Sequence, residues 1–202
     1  MSASSINRFA LGALPVSPWK NGGGTTREIV RMPADAALDA FDWRVSIAEL
    51  SANGAFSAFP GVDRIIALLD GAGVHMQSSD RSVDHRLDAP LQPFAFRGEE
   101  SIDATLLGGT SCDFNVMTRR ATTSGTMHVI DNATMTPTAA AGLFFAARGR
   151  WHIDARDELD ETIEARAGIW WSDRALAWNV RPIDRDATMI VVAIEQRLSD
   201  EA

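Results

Sequence analysis

Residues 64–77 read RIIALLDGAGVHMQ: an apolar run from Ile65, a turn at Asp70-Gly71-Ala72-Gly73, then a run in which His75 alternates with Val74 and Met76. This is the pattern of two short strands joined by a glycine turn, and it predicts a β-hairpin. Residues 142–154, GLFFAARGRWHID, repeat it with a turn at Gly149 and His152 in the place of His75. Each copy is followed by a further strand pair, in LQPFAFRGEESIDATLLGG (91–109) and IEARAGIWWSDRALAWNV (163–180). Two copies of such a unit predict two small barrels in tandem. On these residues alone, chance likeness between two hairpins is an equal reading.

Working outward, alternation with a period of two dominates. In WRVSIAE (43–49) the large apolar residues share one face, and Arg44, Ser46 and Ala48 the other. DFNVMTR (113–119) alternates likewise, with Asp113, Asn115 and Arg119 on its polar face. ATMIVVAIE (187–195) is a nearly continuous β-branched run, which predicts a strand buried on both sides. Only residues 34–41 read as a short helix.

A chain of 202 residues, 46% hydrophobic and 23% charged, is long enough for a sizeable core and too apolar for disorder. Its 19 basic against 27 acidic side chains give a net charge of -8, which disfavours nucleic acid and anionic membrane as partners. The single cysteine, Cys112, excludes an intrachain disulfide and fits a cytoplasmic protein. The first residues, MSASSINR, lack the apolar core of a signal peptide, and the uncharged stretch 132–147 is too short and too broken by Pro137 and Gly142 to span a membrane.

The stretch SPWKNGGGTTREI (17–29) puts its lysine before its glycines, the reverse of a phosphate-binding loop, and continues into a strand where such a loop needs a helix. PWKNGGGTTREI, WRVSIAEL, GAFSAFPGVDRIIALLDGAG and CDFNVMTRR, in this order, resemble the HutD/Ves family of bacterial proteins. The family form of the last segment has leucine where this chain has Val116, a change that stays apolar. The resemblance implies an all-β double cupin, two fused antiparallel barrels of the RmlC-like jelly-roll type, in the cytoplasm. It also implies a link to histidine utilisation or to stress response. The expected division is residues 1–125, carrying the family motifs, and 126–202, sharing one core.

Many cupins hold a metal through two histidines two residues apart, a glutamate and a later histidine. Here the histidines, at 75, 85, 128 and 152, are scattered, so neither a metal nor another cofactor is expected. No nucleophile stands out: Cys112 has no histidine near it in sequence, and Ser46 and Ser57 lack the Gly-x-Ser-x-Gly elbow.

Cationic and amide side chains are prominent in the first half of this acidic chain. Lys20, Asn21, Arg27, Glu28, Arg44, Ser46, Arg64, Asp113 and Asn115 form the candidate ligand-binding set. Taken singly, each reads better as a solvated surface group. In a barrel one strand face points inward, so Arg44, Ser46, Asp113 and Asn115 would line a polar pocket. An arginine there needs a carboxylate, from Glu28, Asp113 or a ligand. The glycines after Asn21 would make a rim displaying Lys20 and Asn21, or a tight crossing between barrels plugged by Trp19.

The leading expectation is a metal-free protein that binds a small anionic metabolite and governs histidine utilisation, with urocanate and N-formylglutamate as ligands suggested by the resemblance. The alternatives are an isomerase or hydrolase using acid–base residues of the same pocket, and an interaction protein with a vestigial pocket. A homodimer is left open.

Overall fold

The structure, a computed structural model, describes residues 6–156 and 158–197. In chain order its strands are β1 (Ile6–Ala10), β2 (Ser17–Pro18), β3 (Gly24–Met32), β4 (Trp43–Leu50), β5 (Gly54–Ala55), β6 (Val62–Asp70), β7 (Val74–Ser78), β8 (Asp84–Leu87), β9 (Phe94–Arg97) and β10 (Ile102–Leu106). There follow β11 (Ser111–Arg119), β12 (Thr123–Ile130), β13 (Thr134–Met135), β14 (Ala141–Arg148), β15 (Trp151–Ala155), β16 (Leu159–Ile163), β17 (Ala167–Trp171), β18 (Asn179–Pro182) and β19 (Thr188–Gln196). Among the described residues the only helix is a single 3-10 turn at Leu11–Ala13. The fold is all-β.

The chain divides into two compact units. One holds residues 15–124 with 196–197, and the other residues 6–14 with 125–195. The break falls inside β12, and the start of the chain goes with the later residues. There β1 pairs with β17, from Ile6 opposite Trp171 to Ala10 opposite Ala167, and so belongs to the later unit. Residues 1–5 and 198–202 of the expected division lie outside the described residues.

In the first unit a six-stranded sheet, β2-β3-β4-β11-β6-β9, accompanies a four-stranded one, β5-β10-β7-β8. In the second, β1-β17-β14-β19-β12 accompanies β13-β18-β15-β16. Replacing each strand from β4 to β11 by the one eight later turns the order β4-β11-β6-β9 into β12-β19-β14-β17, and β5-β10-β7-β8 into β13-β18-β15-β16. The internal repeat is therefore a duplication of topology, not a chance likeness. In neither unit do the described strands close into a continuous cylinder; each is a pair of open sheets.

The hairpin reading of residues 64–77 is corrected. β6 and β7 lie in different sheets, as do β14 and β15. The glycine turn is a corner that carries the chain from one sheet to the other. Gly71 and Gly73 have φ of 94° and 91°, and a Cβ on Gly73 would lie 2.0 Å from the Leu87 carbonyl oxygen. Only a residue without a side chain fits so close an approach.

Two further expectations change. Residues 34–41 form turns closed by the Pro33 and Ala37 carbonyls, not a helix. The Asp39 and Phe41 carbonyls accept from the Arg119 guanidinium at 2.6 and 2.8 Å, so contacts from β11 hold this loop in place of helical hydrogen bonds. β19 is fully buried on one face, at Ile190, Val192 and Ile194, while on the other Met189 is buried but Val191 and Ala193 are only partly so.

The cores of the two units differ. The second is filled by Trp151, Trp171, Trp178, Phe144, Ile153 and Met189, all buried. In the first, Ala48, Leu50, Ile66 and Leu68 of the large sheet pack with Val74, Met76, Leu87, Ile102 and Ala104 of the small one. That leaves part of the inward face to other residues.

Candidate functional site

Those residues are polar. On β4, β11 and β6 the register sets Ser46 opposite Asn115 opposite Ile66, and Arg44 opposite Met117 opposite Arg64. Asp113 stands opposite Ala48 and Leu68. Paired residues share a face, and so do residues two apart on a strand. Arg44, Ser46, Arg64, Asp113 and Asn115 thus lie on the face that carries Ala48, Ile66 and Leu68 into the core, and all five are buried. On β3, Glu28 joins them opposite Ser46.

Arg44 donates from Nε to Glu28 Oε2 at 2.6 Å, and Arg31 Nε lies 3.5 Å from the other oxygen of that carboxylate. The expected carboxylate partner for Arg44 is therefore Glu28. Arg64 is held differently. Its guanidinium lies 4.9 Å from the ring centroid of Phe96, 5.5 Å from Phe56 and 5.8 Å from Phe59. Facing aromatic rings attract a cation through their quadrupoles, yet they accept none of its hydrogen bonds in the plane of the guanidinium. Arg64 Nε has no hydrogen-bond partner, and neither has Asn115 Oδ1.

Burial lowers the Arg64 pKa to about 10, against the pull of Asp113. Burial likewise pushes Asp113 up to about 7, with Arg64 opposing the rise. Arg64 and Asp113 are thus charge partners across the polar face, with Asn115 between them on β11.

A cleft of about 390 Å3 is lined by Leu38, Asp39, Ala58, Phe59, Pro60, Val62 and Arg119. Phe59 belongs both to this cleft and to the aromatic cage, so one ring separates the cleft from the Arg64 guanidinium. The volume lies in the range of small-ligand sites.

Three members of the sequence-derived set fall elsewhere. Arg27 stands opposite Ile47, on the other face of the sheet. Lys20 and Asn21 are exposed in the turn joining β2 to β3. Gly24, which ends that turn, pairs with Leu50, six residues along β4 from Arg44. At about 3.3 Å per residue this is roughly 20 Å away. The glycine stretch is a packed turn: the Trp19 N–H donates to the Gly24 carbonyl at 2.9 Å, and Trp19 Nε1 donates to Thr26 Oγ1 at 2.7 Å. A Cβ on Gly24 would lie 2.3 Å from the Glu49 carbonyl oxygen and 3.2 Å from the Trp19 ring. Sequence reasoning missed the three caging phenylalanines. The signal was there: Phe56 and Phe59 stand just before Arg64 in GAFSAFPGVDR, and Phe96 pairs with Arg64 across β6 and β9.

The cupin metal set does not fit these residues. His75 and His152 alternate with the buried pairs Val74 and Met76, and Trp151 and Ile153, so both point away from the cores. Each is tied by Nε2 to an aspartate on the next strand, Asp84 at 2.6 Å and Asp160 at 2.8 Å. Among the described residues no three His, Cys, Asp or Glu side chains converge as a metal would need. Replacing His75 by alanine is expected to change stability little, since its bond to Asp84 is largely solvated. Urea denaturation checks this, and a larger loss would give that pair a structural role.

The HutD family model matches residues 13–189. Protein Ves of Escherichia fergusonii is 38% identical over 166 residues, 82% of each chain. The structure of a HutD from Pseudomonas fluorescens SBW25 in a formate condition superposes with a TM-score of 0.83 at 29% identity, over 96% of this chain and all of that one. An oxalate decarboxylase from Lactobacillus farciminis shares the fold at 9% identity, with a TM-score of 0.64 over 97% of this chain and 89% of that one. The fold is cupin-like. No helix among the described residues is long and apolar enough to cross a membrane.

Proposed function

The chain belongs to the HutD/Ves family, and from that membership we propose that it is a double cupin whose first unit binds a small anionic metabolite at Arg64, as a governor of histidine utilisation. One observation carries the reading: a buried guanidinium, caged by three phenylalanines, keeps an unpartnered Nε on the same sheet face as an unpartnered amide oxygen. A buried polar atom without a partner costs stability, so a natural fold that keeps two of them on one face needs a reason. A carboxylate accepts from Arg64, and a ligand that also carries an N–H can donate to Asn115 Oδ1. Urocanate and N-formylglutamate both offer that combination. The cleft behind Phe59 supplies room for either.

The binding test is calorimetric titration of the parent and of variants with urocanate, N-formylglutamate and formate. Charge-assisted hydrogen bonds contribute about 1.5–3 kcal/mol, so Arg64→Ala is expected to weaken binding by roughly ten- to a hundredfold. Arg44→Ala is expected to cost less, because Glu28 already neutralises Arg44. Arg185, exposed in the second unit, is the control. Equal affinity in the Arg64 variant sinks the site, and no binding at millimolar ligand sinks this choice of ligands.

A second reading is favoured by Asp113, whose pKa of about 7 suits a general acid or base. On that reading the protein is an isomerase or hydrolase of the same ligands. Product formation in the same mixtures, lost in Asp113→Asn, separates it from simple binding.

A further inference from the structure

Resting on the reading that the polar face binds a carboxylate, we propose that Asp113 is a specificity-determining residue: the site admits an anion only together with a proton, which Asp113 takes up. The argument is one of charge balance in a closed core. The buried face carries Arg44 paired with Glu28, and Arg64 whose charge partner is Asp113. With Arg31 also 3.5 Å from the Glu28 carboxylate, that end of the face keeps a net positive charge, whereas the Arg64–Asp113 end is neutral by itself. An incoming carboxylate that engages Arg64 Nε adds a negative charge where Asp113, only 4% exposed, has no water to screen it. Two carboxylates sharing one guanidinium in such a setting do not both stay ionised.

The surroundings of Asp113 leave little else to absorb the charge. On β4 it stands opposite Ala48, with Arg44 four residues along and held by Glu28 of β3, and the charge that acts on it from β6 is Arg64. The opposing sheet presents Val74 and Met76 from β7, Ile102 and Ala104 from β10, and Leu87 from β8. The remaining titratable group at this face is His85 of β8, stacked on Phe94 at 3.7 Å between ring centroids, and burial lowers its pKa. Asn115 Oδ1, two residues along the same face and without a partner, is an acceptor for the new Asp113 O–H. The step balances as one ligand anion and one proton from solvent, giving neutral Asp113 and an Arg64–carboxylate pair. No covalent bond forms or breaks beyond that O–H. The raised pKa of Asp113 makes the proton easy to accept near neutrality.

N-formylglutamate and formate are the probes, because neither titrates between about pH 6 and 9. The parent protein is titrated with each at about pH 8, in buffers of differing ionisation enthalpy, and the dependence of the observed heat on buffer gives the protons taken up. Uptake approaching one proton per ligand is expected, with affinity falling about tenfold per pH unit above neutrality. In Asp113→Asn the uptake disappears and affinity becomes independent of pH over this range. Binding by the parent without proton uptake overturns the proposal and leaves the Arg64 site standing. Uptake that survives in Asp113→Asn assigns the proton elsewhere, His85 first, and also overturns it. Absence of binding at about pH 6 for both probes removes the proposal together with the site. Parent binding without proton uptake overturns the proposal even where the Asp113 variant fails to fold.

Discussion

Replacing Trp178 by alanine is expected to lower the stability of the second unit by about 3–5 kcal/mol, the usual cost of deleting a large aromatic from a packed core. Trp178 is fully buried and meets Phe144 edge-on at 5.4 Å and Trp171 at 5.1 Å between ring centroids. Three rings in mutual contact cannot collapse onto the void without leaving their own rotamers, so the cavity term adds to the lost transfer energy. The indole N–H has no hydrogen-bond partner, so the loss is one of packing alone. For a unit of this size, at about 4–8 °C per kcal/mol, the midpoint of thermal unfolding should fall by roughly 12–40 °C. Tryptophan fluorescence reports the event selectively, because four of the six tryptophans, at 151, 170, 171 and 178, lie in this unit. Trp178→Phe, which keeps a ring in place, should cost less than half as much. A loss below about 1 kcal/mol for the alanine variant would mean that the aromatic core is not closed around this residue.

The contrast between the units supports the proposed site. Both have the same strand order, yet one fills its interior with indole rings and the other leaves arginines and carboxylates there. Burying an arginine costs several kcal/mol before any partner is found. The second unit shows that this topology closes on apolar side chains alone. The polar face of the first is thus a property of that copy and not a demand of the fold.

Much of this was legible in the sequence. Alternation in WRVSIAEL and DFNVMTRR put Arg44, Ser46, Asp113 and Asn115 on common faces, because a period of two is a local property that each strand carries by itself. Arg64 could be named but not placed among them by alternation. Its neighbours Ile65 and Ile66 are both apolar, so the strand reads as buried on either side, and the register with Met117 is a fact of pairing. The corner at Gly71 misled for a similar reason: a short glycine turn between apolar runs has the same local chemistry whether the next strand pairs with the last one or crosses to another sheet. Lys20 and Asn21 were gathered into the set because the glycines after them read as the rim of a site, whereas they stand exposed in the turn that leads into β3, apart from Glu28. The aromatic cage went unread because its members come from the loop before β6 and from the strand after β8, joined only in space.

The stability of the protein should fall as pH rises from about 4 to about 7, and Asp113→Asn should remove that fall. The sign follows from the direction of the shift. Asp113 is raised from an ordinary 3.8 to about 7, so the folded state favours its protonated form. Its contribution is therefore complete below the unfolded value, declines through the window between the two, and is absent above the folded one. A rise of this size corresponds to up to roughly 4 kcal/mol. Asp80, Asp84, Glu99 and Asp184 act in the opposite sense, since their hydrogen bonds hold them below the usual carboxylate range. What they add is present above about pH 4 and lost as the pH drops through their lowered values. His85, lowered by burial, likewise adds stability above its ordinary value and loses it on acidification. These groups are common to parent and variant, so the difference between the two isolates Asp113. Denaturant midpoints at about pH 4.5 and about pH 8 should show near-equal proteins at the first, where an amide merely replaces a neutral acid. At the second, the variant should be the more stable by a few kcal/mol. A variant less stable at both, by the same amount, would mean that Asp113 stays ionised in the core and that its pairing with Arg64 outweighs the cost of burying it.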